Sequence, residues 1–557
     1  MDSPASPPST PPPARGWTRG VLIFLVGGLV GAAVAGNVAR TRIRQAVAQA
    51  LAADHGPASA AEGEAPPTPA LPDQRPTSAE VPLATLSREP LRFLSVGGGA
   101  DPLSTQVQLE QDVALFAETV REATGEDGAI LFAGGPSVRA VQVLEYDERP
   151  PRAGETDEAA VLRAALGELV DPRPERAARY RTPALAAQGS ADADAFLALL
   201  GRQLQLPGER LEVFVASHGD AGETPADNYV ALWGDTSFDA RQLAAALAPT
   251  SSRRGARLVL TACFGGGFAE LAFDGADANA GPTASDVCGL FATSADHESN
   301  GCDANPDRQA QEGYALHLLR ALRGHDRDGT AVAAIDLDGD GQVGVLEAHT
   351  WARIASRSID LPSTTSERFL RSLPSVDAAT SLELVGYPTP EEDAVIRALG
   401  GALGIATEEA VSAARQVLEV QLEGVAGVIE ERAQAEDDAL RELLLTVGTR
   451  WPELLDPFRP DFDAVLRANI RELGAVLRSE VARAHAQARR QTERALLDED
   501  GLRLRWVQLL RLERAFETRR LARVLASTRS SDDPARQRYE AFLACERAPL
   551  RSATTSP

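Results

Sequence analysis

The chain reads as an α/β protein with a mostly parallel sheet, helices on both faces and an all-helical region behind it. Three observations predict this. From residue 91 to about 324, short apolar runs alternate with amphipathic stretches, as strands joined by crossover helices do. Runs such as LEVFVAS (211–217) and RLVLTA (257–262) are almost wholly apolar, which suits strands covered on both faces. After about residue 385, helical spacing takes over from strand-like runs.

At 557 residues, 44% of them hydrophobic, the chain has room for two or three domains with real cores. A net charge of −24 argues against nucleic acid as a partner, because the phosphate backbone would repel it. All 56 basic residues other than histidine are arginine, which reads as a composition bias and carries little mechanism. Four cysteines, Cys263, Cys288, Cys302 and Cys545, are too few for a disulfide scaffold and show no CxxC metal spacing. Whether Cys288 and Cys302 pair is left open.

Residues 1–19 form a Pro/Ser-rich tail expected to be disordered. GVLIFLVGGLVGAAVAG (20–36) carries no charge and sits at the short end of the roughly 17–25 residues that span a bilayer. Arginines flank it on both sides, so charge gives no orientation. The expectation is a single-pass membrane anchor with the bulk of the chain outside the cytoplasm. The alternative is a secretory signal cleaved near Ala33-Val34-Ala35. Residues 37–88, rich in Pro, Ala and Glu from 53 onward, read as a linker.

A domain is expected over 89–385. LRFLSV (91–96) is its first strand, followed by three glycines. VQLEQDVALFAETVREA (107–123) is a helix and AILFAGG (129–135) a strand, while 146–190 reads as a polar, irregular loop. A helix over 192–206, strands over 211–217 and 228–234, and a helix over 238–248 follow. Strands at 257–262 and 288–294 and a helix over 308–324 complete the pattern. Residues 386–557 read as a helical domain. Its parts are 407–448 with Thr407 as N-cap, a Pro-broken turn at 451–461, a helix over 463–496 and a shorter one near 502–525. Its helices pack on one another or on the preceding domain; the alternative is a coiled coil that binds a protein partner, against which the irregular heptads speak.

Two strands end in chemistry. LEVFVASHGD delivers His218-Gly219, and RLVLTACFGGGF delivers Cys263 one βα unit later. In a parallel sheet both fall at the carboxyl edge, where ligands bind. A cysteine peptidase needs a thiolate nucleophile, an imidazole to protonate the leaving amine, and backbone N–H donors for the oxyanion. A helix starting soon after Cys263 would lower its pKa. His317, His325 and His349 receive structural readings; His297 stands near enough to touch substrate.

This order of motifs, an apolar strand with (S)HG and then one with (T)AC, resembles the caspase–hemoglobinase fold of cysteine peptidases, which includes caspases, metacaspases, gingipains, separase and legumain. GLFATSADHESNGCD (289–303) resembles the segment that lines the S1 pocket in legumain-like peptidases and their bacterial relatives. The likeness covers roughly residues 90–360. It implies His218 as general acid/base and Cys263 as nucleophile, with the Gly219 and Cys263 N–H groups as oxyanion hole and no catalytic cofactor. Ser299 and Asp303 resemble S1-lining positions. With Asp296 and Glu298 they favour a basic or amide P1 residue in a protein or peptide substrate. VGGGADP (96–102) and Thr261 depart from the legumain pattern, which argues against legumain's own Asn specificity. The alternative is a catalytically inactive scaffold of the same fold in the cell envelope.

DLDGDGQVGVLE (336–347) fits an EF-hand calcium loop. Asp336, Asp338 and Asp340 take positions 1, 3 and 5, the Gln342 carbonyl position 7, and Glu347 position 12. Only the exiting helix is credible, so a lone structural Ca2+ site of ~10⁻⁴–10⁻³ M affinity is expected.

Overall fold

The computed structural model describes residues 89–146, 157–170, 176–247, 254–326, 328–332, 335–374 and 386–550. The expected tail, apolar segment and linker lie outside these residues. Among the described helices, none is long and apolar enough to cross a membrane.

The described strands are β1 (Phe93–Gly97), β2 (Ala129–Phe132), β3 (Val141–Tyr146), β4 (Arg176–Arg181), β5 (Leu211–Ala216), β6 (His218–Asp220), β7 (Tyr229–Leu232), β8 (Thr236–Asp239), β9 (Ala256–Leu260), β10 (Val287–Phe291) and β11 (Ser363–Thr364). Six of them build the central sheet in the order β11-β10-β9-β5-β1-β2. All neighbours are parallel except the β10–β11 pair. Every residue of β1, β2, β5, β9 and β10 is buried, which explains their continuous apolar sequences. The register aligns Val96, Val215, Leu260 and Phe291 in one row across four strands.

The amino-terminal edge of the sheet is closed by the residues around Cys545. Arg257 at the start of β9 forks onto Glu212 of β5, with N···O distances of 2.8 and 2.9 Å, and also donates to the Cys545 carbonyl at 3.1 Å. Both partners are almost fully buried. A bidentate pair with its remaining donors satisfied is the arrangement in which burial of two charges is tolerable. Beside it Cys288 of β10 is bonded to Cys545. The possible Cys288–Cys302 pair is therefore not formed: Cys288 lies at the amino-terminal edge of the sheet, and Cys302 remains a thiol.

Two compact units emerge. Of the described residues, the larger comprises those in 89–146, 176–430 and 493–550, and contains the whole sheet. The smaller takes in 157–170 and 431–492 of the described residues. Its described core joins Leu162 and Leu166 of the helix Asp157–Val170 to Leu443, Val447, Trp451, Leu466 and Leu473. The structure thus does not divide at residue 386. The helix Pro534–Arg547 packs Tyr539, Phe542 and Leu543 into the core of the sheet, with the Phe542 ring 5.5 Å from that of Phe369.

Local expectations hold for most strands and for the helices Val107–Thr124, Ala193–Gln205 and Glu408–Arg450. The span 146–190 differs from the loop expected there. It holds a helix and β4, which pairs antiparallel with β3. RAARYR carries no apolar alternation because a two-stranded ribbon with a solvated face does not require one. The helix expected from 308 begins at Tyr314, after Gly313. The helix expected over 463–496 is broken at Asn469 and again after Leu477, and a 49-residue helix, Glu480–Thr528, then runs through the position of the shorter one.

The Cys288–Cys545 link spans 257 residues of chain. Replacing Cys545 by Ser is expected to lower the unfolding free energy by about 2–5 kcal/mol. Urea denaturation of both proteins without reductant checks this, and equal midpoints would show that packing alone holds the last helix.

Candidate active site

Four strands contribute to one site at the carboxyl edge of the sheet. After β1 the chain turns tightly at Gly97-Gly98-Gly99. A side chain on Gly99 would lie 2.1 Å from the Ser104 carbonyl oxygen, so only glycine allows the turn 101–105 to fold back here. Thr105 Oγ1 fixes that turn by accepting from Gly99 N at 3.0 Å and donating to the Asp101 carbonyl at 2.7 Å. The Ser104 carbonyl and the Gln106 side chain are thereby brought against His218.

His218 opens β6, two residues beyond the end of β5. Its Nε2 lies 2.9 Å from both Ser104 O and Gln106 Oε1. A carbonyl oxygen only accepts, so Nε2 carries the proton and Nδ1 the lone pair. Burial pushes the imidazole pKa below its ordinary 6.5, opposed by the Ser104 carbonyl and the Asp101 charge, and the ring is neutral at pH 7. Facing Nδ1 at 3.7 Å is the thiol of Cys302.

Cys263 stands beyond β9, before a 3₁₀ helix over Gly265–Ala272. Ser299 holds its sulfur: the Ser299 N–H donates to Sγ at 3.3 Å, and the thiol donates to the Ser299 carbonyl at 3.6 Å. Ser299 Oγ is tied to the Thr261 carbonyl at 3.0 Å. A lowered thiol pKa was the expectation from a following helix. The structure shows the reverse: burial pushes the Cys263 thiol up, and the Ser299 hydrogen bonds offset this only in part.

The two main chains run side by side. A Cβ on Gly219 would lie 2.4 Å from the Cys263 carbonyl oxygen, which explains why glycine follows the histidine. No hydrogen bond joins the His218 ring to the Cys263 sulfur; each is held by the partners just named. Asn228 supports both walls, donating to the Phe264 carbonyl at 3.0 Å and the Ala295 carbonyl at 2.8 Å.

The remaining expected residues divide. Glu298 is near enough to act on the Cys263 thiol, and its own carboxyl is raised by burial and by Asp220. Asp296 is drawn into a local turn with Ser294 and His297, at 2.7 and 2.9 Å, which holds its carboxyl well below the usual range. Asp303 accepts from Asn305 N at 2.8 Å, while its main chain pairs with Gln108. Their carboxylates serve turns, so the acidic character felt by Cys263 rests on Glu298 and the buried Asp360, with Asp220 beside Glu298. Gln106, Ser104 and Cys302 were not legible as site residues; the triple glycine of VGGGADP was the one signal of a close approach near them.

In the loop 336–347 the carboxylate oxygens of Asp336, Asp338 and Asp340 lie within 4.8 Å of one another. Asp336 accepts from Gly339 and Gly341 N–H at 2.7 and 2.9 Å, and Gln342 N donates to Asp340 at 2.7 Å. Three hard oxygen donors suit calcium. Glu347 stands apart from that trio, with its carboxylate turned to the N–H groups of Leu337, Asp338 and Gly344.

No family model and no curated protein matches this chain.

A thiol with a raised pKa has less thiolate at pH 7 than a free cysteine, whose pKa is about 8.5. In Cys302→Ser, alkylation of Cys263 by iodoacetamide is therefore expected to be slower than that of free cysteine at pH 7 and to keep rising above pH 9. A rate that levels off below pH 8 would overturn the assignment of burial as the dominant influence.

Proposed function

We propose that the chain is a membrane-anchored cysteine-type endopeptidase of the caspase/legumain kind. The observation that supports this is the placement of His218 and Cys263 side by side beyond adjacent parallel strands, with the lone pair of the imidazole on Nδ1. Substrate entering the cleft displaces Cys302 from Nδ1. Nδ1 then takes the Cys263 proton as the sulfur attacks the scissile carbonyl, and returns it to the leaving amine. The N–H groups of Gly219 and Cys263 face the developing oxyanion. Water hydrolyses the thioester with the same imidazole as base. Glu298 and Asp220 favour a basic P1 residue.

Asp336, Asp338 and Asp340 would hold a calcium ion, which would supply charge neutralisation to this loop and take no part in the chemistry. The segment 20–36 tethers the protein to a membrane, with the folded part outside the cytoplasm.

A second reading, a catalytically inactive envelope scaffold, draws on one observation: the two reacting groups are each engaged by other partners, and the Cys263 thiol is raised.

An electrophilic peptidyl probe with Arg at P1 separates the two. Labelling is expected at Cys263, is lost in Cys263→Ala, and falls about 10²–10⁴-fold in His218→Ala. Labelling that is indifferent to His218 supports the scaffold. Because the imidazole must be neutral and its pKa is depressed, the acid limb of kcat/KM is expected below pH 6.5. Separately, Ca2+ is expected to raise the melting temperature of the wild type but not of Asp336→Ala. A wild type unmoved by millimolar Ca2+ removes the metal from the proposal.

A further inference from the structure

Cys302 is a free, partly exposed thiol whose nearest polar neighbour is the proton-accepting nitrogen of His218. Nothing in peptide hydrolysis requires a second thiol there. Its S–H donates to Nδ1, because Nε2 already carries the ring proton. A thiol paired with an imidazole base can lose its proton to that base, and the thiolate is the form that reacts with oxidants.

The other free thiol, Cys263, belongs to the same site. It is bonded to Ser299, three residues before Cys302 on the same loop. Burial pushes the Cys302 thiol well up and the charge of Cys263 adds to this, which marks the two sulfurs as neighbours and leaves transfer to His218 Nδ1 as the route by which Cys302 loses its proton. The loop is anchored on both sides of Cys302: Asn300 N donates to Asp360 at 2.7 Å, and Asp303 N to Gln108 at 3.0 Å. Between the anchors Gly301 has a φ of 151°, with no atom within 4 Å of a Cβ built there. Such a glycine can change its backbone angles without collision and re-aim the next side chain.

We propose that Cys302 is a peroxide-sensitive thiol whose oxidation is resolved by Cys263, closing the cleft reversibly as a Cys263–Cys302 disulfide. As a switch on catalysis this rests on the peptidase reading; the disulfide itself does not. The Cys302 proton passes to His218 Nδ1, and the thiolate attacks the terminal oxygen of a hydroperoxide. An S–O bond forms, the O–O bond breaks, and the alkoxide (or hydroxide) leaves with the imidazolium proton. Cys302 is then a sulfenic acid, oxidised by two electrons, and the peroxide is reduced by two. Next the Cys263 proton passes to Nδ1 and its sulfur attacks that of Cys302. The S–S bond forms, the S–OH bond breaks, and hydroxide departs with that proton as water. Closure requires Gly301 to bring the two Cα atoms to within about 7 Å.

The test is cysteine mapping of the full chain after exposure to hydrogen peroxide. No arginine lies between Arg257 and Arg308, so trypsin leaves Cys263, Cys288 and Cys302 on one peptide. A second cleavage after phenylalanine separates them. The expected product is a linked pair two hydrogens lighter than the reduced peptides, restored by dithiothreitol. In Cys263→Ser the sulfenic acid is expected to persist at Cys302 and to be trapped by dimedone, and His218→Ala is expected to slow closure. Overturning results are an unmodified Cys302 beside an oxidised Cys263, or two intact thiols at peroxide levels that oxidise free cysteine. Mapping of the wild type decides even if a variant fails to fold. A protein that forms the bridge but cleaves no peptide sinks the peptidase reading alone, and an active one without the bridge sinks this proposal alone.

Discussion

The parallel register of β5 against β9 is the constraint on which the site depends. Val215 and Leu260 stand opposite one another, and His218 and Cys263 each lie three residues further along the chain, beyond the ends of β5 and β9. Equal offsets from one register row start both loops at the same level, and the Gly219 main chain meets the Cys263 carbonyl without any direct bond between the His218 and Cys263 side chains. A one-residue slip would turn every side chain of a strand to the other face. It is resisted by the buried rows on both faces and by the Arg257–Glu212 fork, which joins the same two strands at their other ends. The chemistry and the clamp therefore occupy opposite edges of one strand pair.

Burial acts on both groups of the pair and keeps each in its neutral form. The imidazole loses basicity and the thiol loses acidity when each is taken out of water. A preformed thiolate–imidazolium pair is thus not the resting state. In the proposed reaction, proton transfer would accompany attack, with the Ser104 carbonyl and Gln106, which hold the Nε2 proton, stabilising the imidazolium once Nδ1 is protonated. Cys302 fits the same picture as a neutral donor that satisfies Nδ1 until another group takes its place.

The strands of the central sheet and the two loops that carry His218 and Cys263 were legible because apolar runs that end in HG and AC leave few other readings. β4 was not, since RAARYR forms a ribbon whose stability comes from pairing with β3 and not from an apolar face. The three aspartates of the loop 336–340 were legible from their spacing and do converge. Glu347 was assigned to the ion by the same spacing, yet its carboxylate is used by backbone N–H groups. Of the acidic residues after β10, only geometry separates Glu298, which acts on Cys263, from Asp296 and Asp303, which cap their own turns. Contacts across long separations, such as Cys288 to Cys545 or His218 to Cys302, leave no periodic trace.

The C-terminal helices are part of the site's support. Arg511 of the helix Glu480–Thr528 is almost fully buried and donates to the carbonyls of Arg353, Ser356, Ser358 and Asp360, at 2.7–3.1 Å. Those carbonyls end the helix Val345–Ala355 and the turn after it, and a guanidinium is one of the few groups able to satisfy four of them at once. The turn so fixed carries Asp360, whose buried carboxylate accepts from Asn300 N, Tyr314 N and Ser358 Oγ at 2.6–2.8 Å. Asn300 is the residue after Ser299, which grips the Cys263 sulfur. A continuous chain of hydrogen bonds thus runs from the long helix, through Arg511 and Asp360, to the loop that holds the Cys263 sulfur. The same helix Val345–Ala355 starts at Gly344, immediately after the aspartate loop. Anything that orders that loop therefore acts on one end of the element whose other end positions the loop that holds the sulfur. This gives a physical reason for the residues from 493 onward, so far along the sequence, to belong to the same unit as the sheet.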